Sequence, residues 1–146
     1  MLPADVVNNI ISFTTPAEII YHTCFVVKKI YYDQIIVGEK KIEGRLMKSN
    51  SSYKDISKDD IIAFRPGQAA KIGCFARVTD IHRFKTFEEM LDFFGFLACL
   101  PTCPSKDEAI KVYNSLYKDN ESMDVIAFTF DLIPFNSVYR KLQRRT

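Results

Sequence analysis

Tyr31-Tyr32-Asp33-Gln34-Ile35-Ile36-Val37-Gly38-Glu39-Lys40-Lys41-Ile42-Glu43-Gly44-Arg45-Leu46 reads as the end of a short helix, a glycine stop and a strand loaded with charge. Gly38 suits the left-handed position that closes a helix. Beyond it, Lys41, Glu43 and Arg45 alternate with Ile42, Gly44 and Leu46. Successive strand side chains point to opposite faces, so three charges share one face and apolar or absent side chains share the other. A charged row that begins just after a helix end can line a cleft. It can equally be an ordinary solvated strand face, and the pattern leaves both readings open.

Working outward, the chain has 146 residues, a hydrophobic fraction of 47%, twelve Phe and seven Tyr. That bounds it to one domain with a sizeable core and excludes a disordered chain. No apolar run approaches the ~20 residues that span a bilayer. The opening Met1-Leu2-Pro3-Ala4-Asp5 lacks the basic start of a secretory signal. The expectation is an intracellular protein, cytoplasmic or nuclear, with Cys24, Cys74, Cys99 and Cys103 as reduced thiols. Cys24 and Cys74 lie in apolar runs and read as core, whereas Cys99 and Cys103 read as loop thiols. Zinc takes about four ligands, and His22 and His82 are the only histidines, so neither a metal site nor a cofactor is expected.

The net charge of +2 does not demand a polyanionic partner, but charge is unevenly spread. Residues 1–27 carry Asp5 and Glu18 and no Lys or Arg; the tail beyond Asp131 carries Arg140, Lys141, Arg144 and Arg145 and no acid. Such a tail can touch phosphates and release counterions. It can also be a solvated last helical turn, where cations suit the macrodipole.

Along the chain, Val6, Val7, Ile10 and Ile11 form a helical stripe over 3–13. Thr15 with Glu18 makes a capping box with Pro16 at the first helical position, which predicts a second short helix. Thr23 to Val27 predicts a strand, Lys28 or Lys29 to Val37 a helix, and Lys40 to Met47 the charged strand. Ile61 to Phe64 predicts a strand closed by Pro66-Gly67, and Ala70 to Ile81 a longer one. Thr86-Phe87-Glu88-Glu89 and Ser105-Lys106-Asp107-Glu108 are further capping boxes, opening helices to Phe94 and about Tyr117. Gly95 to Pro104 reads as an apolar connection between them. Met123 to Ile133 predicts the last strand, and Ser137 to Arg144 a terminal helix. This irregular order implies an α+β fold, a small mixed β-barrel with helices packed at its rim.

Gly38-Glu39-Lys40-Lys41-Ile42-Glu43-Gly44-Arg45 resembles the signature of the ASCH (activating signal cointegrator homology) domains, whose barrel is PUA-like. Further stretches agree in order: Tyr53-Lys54-Asp55-Ile56 with Asp59 to Phe64, Val78-Thr79-Asp80-Ile81, Phe84 to Leu91, Ala109 to Tyr117, and Val125 to Leu132. The resemblance covers about 23–133, leaving 1–22 as an N-terminal helical extension and 134–146 as a basic C-terminal helix or tail. It implies binding of RNA or of a modified nucleoside in a cleft beside the charged signature, and Tyr31 and Tyr32, as a stacking surface for an unpaired base, favour single-stranded over duplex RNA.

Some members of that family are small amidohydrolases acting on N4-acetylcytidine. Their signature has a lysine and, three residues on, a threonine as proposed nucleophile, with a distant glutamate. Here Lys40 falls on the lysine, Glu43 on the threonine and Arg45 on the signature arginine. The glutamate has no counterpart in the largely apolar Asp92-Phe93-Phe94-Gly95-Phe96. A carboxylate is a poor stand-in for a hydroxyl nucleophile, so Lys40 and Glu43 remain weak catalytic candidates. The binding candidates are Lys40, Lys41, Glu43, Arg45, Lys29 and Tyr32, with Lys28 and Tyr31 beside them. Lys40 and Arg45 are expected to be replaceable by alanine without loss of folding. The bland reading makes the tyrosines helix packing and the lysines a solvated helix start. A third possibility is an interaction adaptor: Leu2 to Phe13 faintly resembles the start of an F-box, and an apolar stripe there can be a dimer face. No oligomeric state follows from the sequence.

Overall fold

The computed structural model describes residues 19–48, 52–116, 123–134 and 139–141. The described chain begins with strands β1 (Ile19–Tyr21) and β2 (Thr23–Val26), helix α1 (Lys29–Ile36) and strand β3 (Ile42–Leu46). A 3-10 turn (Ser52–Asp55) leads to β4 (Ile61–Arg65) and the long β5 (Cys74–Phe84). Helices α2 (Phe87–Phe94), α3 (Phe96–Cys99) and α4 (Lys106–Leu116) precede β6 (Val125–Ile133) and β7 (Tyr139–Lys141).

Five strands form one sheet in the order β2-β4-β5-β6-β3, parallel between β2 and β4 and antiparallel elsewhere. A register shift between Val78 and Asp80 breaks the long β5–β6 ladder, and such irregularities bend a strand. The sheet curls into a half-barrel until its two edges approach, where Arg45 of β3 donates to the Val26 carbonyl of β2 at 3.0 Å. Inside the curl, Phe25, Ile62, Phe64, Val78, Ile126 and Phe128 form one core. On the other face of β3 and β6, Ile42, Leu46, Val125 and Ala127 pack against Met90, Leu91, Ala109 and Tyr113 of α2 and α4. The alternation of β3 therefore serves two cores, with Ile42, Gly44 and Leu46 toward the helices and Glu43 and Arg45 toward the curl. Gly44 is required by the first of these: a Cβ there would lie 2.5 Å from the Met90 sulfur.

Both capping boxes within the described residues start helices. Thr86 Oγ1 accepts from Glu89 N at 3.1 Å, and Ser105 Oγ accepts from Glu108 N at 3.2 Å. The Glu89 carboxylate reaches back one residue further than the box requires, accepting from Lys85 N.

Four expectations are corrected. The long strand starts at Cys74, not Ala70: the ladder to β4 pairs Phe64 with Cys74, and Gly73, whose N donates to Phe64 O at 2.9 Å, passes so close to the Tyr32 side chain that no Cβ would fit. Gly95, at φ 83°, ends α2, and the supposed connection after it holds α3. Residues 19–21 are extended where the Thr15 capping box implied helix, and 139–141 are extended where a terminal helix was expected. The reason is mutual: β1 and β7 pair in parallel, Ile19 opposite Tyr139, which satisfies backbone groups that neither segment could satisfy alone. Tyr21 anchors β1 against Ala63 and Phe75 of the main sheet. The stripe over 3–13, the F-box-like start and the capping box itself lie outside the described residues.

The cysteines divide by environment. Cys74 and Cys99 are buried, and burial pushes both thiols up to about 11. At pH 8 their thiolate fraction is roughly one in a thousand. Iodoacetamide is therefore expected to label Cys24 and Cys103 first and to reach Cys74 and Cys99 only on unfolding. Peptide mass spectrometry over a time course checks this, and Cys99 labelling as fast as Cys103 would contradict the packing of α3.

Candidate functional site

The charged strand gains its geometry from the turn before it. Gly38 adopts φ 82°, and Glu39 N and Lys40 N then both donate to the Gln34 carbonyl, at 2.9 and 3.1 Å. Lys41 N donates to Ala98 O at 3.0 Å, tying the turn to α3. The result folds Lys40 inward, leaving it only 4% exposed. Its ammonium donates to Ile42 O and Cys99 O, both at 2.6 Å. It also lies 3.8 Å from the Glu43 carboxylate and 5.8 Å from the centre of the Tyr31 ring. Burial holds the Lys40 pKa below its usual value, with Glu43 pulling in the opposite direction.

Glu43 sits between two cations. Its Oε2 accepts from Arg45 Nε at 2.7 Å, and Glu43 is itself 5% exposed. The Arg45 guanidinium lies 4.9 Å over the Phe25 ring and is 21% exposed at its side chain. Arg45 thus spans the seam between the two sheet edges while keeping a solvent-facing part.

That seam opens into a cleft of about 190 Å³. Val26, Val27 and Lys28 border it from the end of β2, and Tyr31 from α1. Lys40, Glu43, Gly44 and Arg45 border it from β3, while Leu100, Tyr113 and Leu116 close it from the helical side. It combines apolar walls and aromatic rings with a few charged groups, Lys40, Glu43 and Arg45, held in place by hydrogen bonds. Among the described residues lining it there is no Ser, Thr or Cys to serve as a nucleophile. The Lys40 ammonium would have to leave two backbone carbonyls to act as a base.

The structure brings Lys40, Glu43 and Arg45 together in this cleft, with Lys28 and Tyr31. It places three other candidates elsewhere. Lys29 is exposed and pairs with Asp33 at 2.8 Å. Lys41 is exposed and borders a separate hollow with Gly38, Phe130 and Asp131. Tyr32 turns toward Gly73 and Cys74, where burial raises its pKa to about 12. Asp92, in the segment compared with the distant glutamate, is exposed and pairs with Lys106 at 2.9 Å. Sequence reasoning missed Leu100, Tyr113 and Leu116. Tyr113 belongs to the apolar stripe of α4, and no local signal distinguishes a stripe residue that also reaches a cleft. Among the described residues, no group of three His, Cys, Asp or Glu side chains is placed to hold a metal ion, and no helix is long and apolar enough to cross a membrane.

A curled five-stranded half-barrel with a charged, partly buried strand at its open seam defines the class of fold. The chain belongs to the ASCH domain family, whose model matches residues 26–133. Among solved structures it is similar to the hypothetical protein PH0355, at 30% identity and TM-score 0.65, over 76% of this chain and 98% of that one. It is also similar to protein PF0455 from Pyrococcus furiosus, at 26% identity and TM-score 0.59, over 80% and 100% of the two chains. The ASCH protein of Zymomonas mobilis shares the fold at 13% identity and TM-score 0.54, over 75% of this chain and 67% of that one. No curated protein matches the chain in sequence.

Proposed function

We propose that this ASCH domain binds an unpaired base of RNA, or a free modified nucleoside, in the cleft between β2 and β3. The observation that carries the reading is Arg45. Its guanidinium is oriented by Glu43, Val26 O and the Phe25 ring, yet part of it still faces the cleft. A pre-oriented guanidinium loses little freedom on meeting a phosphate or base edge. Tyr31 offers the neighbouring aromatic surface, and Lys28, exposed at the rim, suits a backbone phosphate. Hydrolysis of a modified nucleoside is less well supported, because the described lining of the cleft has no Ser, Thr or Cys, and its hydroxyls, those of Tyr31 and Tyr113, belong to phenols with no base placed beside them by the contacts above.

The test is a titration of single-stranded RNA, duplex RNA and DNA at low and moderate salt. Saturable binding is expected for single-stranded RNA. Arg45→Ala is expected to weaken it roughly 10- to 100-fold, the value of one or two hydrogen bonds to a charged group. Lys28→Ala is expected to weaken binding modestly and reduce the salt slope by about 1, as for a single phosphate contact. Absence of binding to any of the three, or an Arg45→Ala variant that binds like the parent, would overturn the assignment.

A further inference from the structure

The free edge of β3 carries a recognition element that no side chain supplies. Met47 N donates to Asp124 O at 2.7 Å, which continues the β3–β6 register of Leu46 opposite Val125. Antiparallel pairs alternate between hydrogen-bonded and non-hydrogen-bonded, so Arg45 and Glu43 direct their backbone groups to β6 and Leu46, Gly44 and Ile42 direct theirs away. The outward carbonyls at both ends of this edge are already used. Ile42 O accepts from the Lys40 ammonium, and Leu46 O accepts from the Tyr53 hydroxyl at 2.6 Å. Gly44 lies between them and lines the cleft. Among the described residues, Gly44 is thus the outward position of this edge that sets an N–H beside a C=O not already taken by Lys40 or Tyr53, at the site where the ligand is proposed to sit.

We propose that this Gly44 edge reads the Watson–Crick edge of the bound base. The inference rests on the cleft reading above. Within a sheet, the partner residue of such a position offers an acceptor beside a donor. The Watson–Crick edge of an unpaired base offers the same pair, and single-stranded recognition commonly uses that edge. A second peptide strand is a poorer occupant, because it would need the Ile42 and Leu46 carbonyls as well, and Lys40 and Tyr53 occupy them. The flanking residues divide the remaining work: Tyr31 for the face of the ring, Arg45 and Lys28 for negative charge. A base in a duplex has its edge engaged and is excluded on this account whatever its sequence.

Chemical substitution of the ligand tests this without altering the protein. The full chain is titrated with single-stranded UUUUU, the same pentamer in 3-methyluridine, and the same in 5-methyluridine. A methyl on N3 removes the edge donor and blocks the approach; a methyl on C5 lies off that edge. At least a tenfold loss with 3-methyluridine and less than a twofold change with 5-methyluridine are expected. Should guanosine be the preferred base, UUGUU against its 1-methylguanosine form reads the same edge. Equal affinity for parent and edge-methylated RNA would overturn the Gly44 assignment and leave the cleft reading standing. Failure of every single-stranded RNA to bind would overturn both.

Discussion

Lys40→Met is expected to fold about 3–5 kcal/mol less stably than the parent, the penalty for breaking a buried, hydrogen-bonded ion pair from one side. The ammonium holds two backbone carbonyls at 2.6 Å and faces Glu43. Methionine fills similar volume but donates nothing, so Ile42 O and Cys99 O lose their charged donor in a place water barely reaches. Those two carbonyls join β3 to α3, so the damage falls on the packing of helices against the half-barrel. Against a typical total of about 5–15 kcal/mol, this is a large fraction of the fold's stability. Denaturant midpoints of Lys40→Met and Lys41→Met make the comparison within one dipeptide. Lys41 is exposed, and its variant is expected to stay within about 0.5 kcal/mol of the parent. Equal midpoints for the two variants would mean that Lys40 is not the buried residue. The expectation that Lys40→Ala leaves folding intact is replaced accordingly; Arg45→Ala also strips the buried Glu43 carboxylate of its 2.7 Å partner, so its binding titration is read beside its own denaturant midpoint, and exposed Lys28 is the binding variant without that cost.

The architecture was largely legible because its signals were local. The alternation from Lys41 to Leu46 gave β3 its two faces, Gly38 marked a helix end, and the boxes at Thr86 and Ser105 gave two helix starts. The segments that misread did so for non-local reasons. Residues 19–21 and 139–141 are strands because each meets the other, 120 positions apart in register from Ile19 to Tyr139. For the site, the row of charge named Lys41, Glu43 and Arg45 and the family resemblance added Lys40, yet charge alternation says nothing of depth. Periodicity placed Glu43 and Lys41 on one face, but Glu43 lies under the seam while Lys41 lies before the strand begins, where the chain is still tied to α3. Tyr31 and Tyr32 show the same limit. Adjacent on one helix, they diverge by about 100°, and only packing decides which of them meets the cleft.

The pair at the centre of the site also has a pH signature, through Glu43→Gln. The amide keeps the size of the side chain and an acceptor for Arg45 Nε, but leaves the buried Lys40 ammonium without its countercharge. At pH 7 a loss of about 3 kcal/mol is expected, the low end for a broken buried pair because one hydrogen bond survives. In the parent, burial lowers the Lys40 pKa below 10.5 and the Glu43 carboxylate partly opposes it. Between the folded pKa and 10.5 the unfolded chain therefore holds a proton that the folded chain has shed, and this residue's contribution to stability rises with pH across that window. Removing the carboxylate lowers the folded pKa further and extends the window toward acid. The variant consequently sheds the unpaired proton earlier than the parent, and the stability gap between the two narrows as pH rises from 6 to 10. Groups that titrate alike in both proteins cancel in the difference. Denaturant unfolding of the two across that range measures the gap directly, and a gap independent of pH would show that Glu43 stabilises the fold through Arg45 alone.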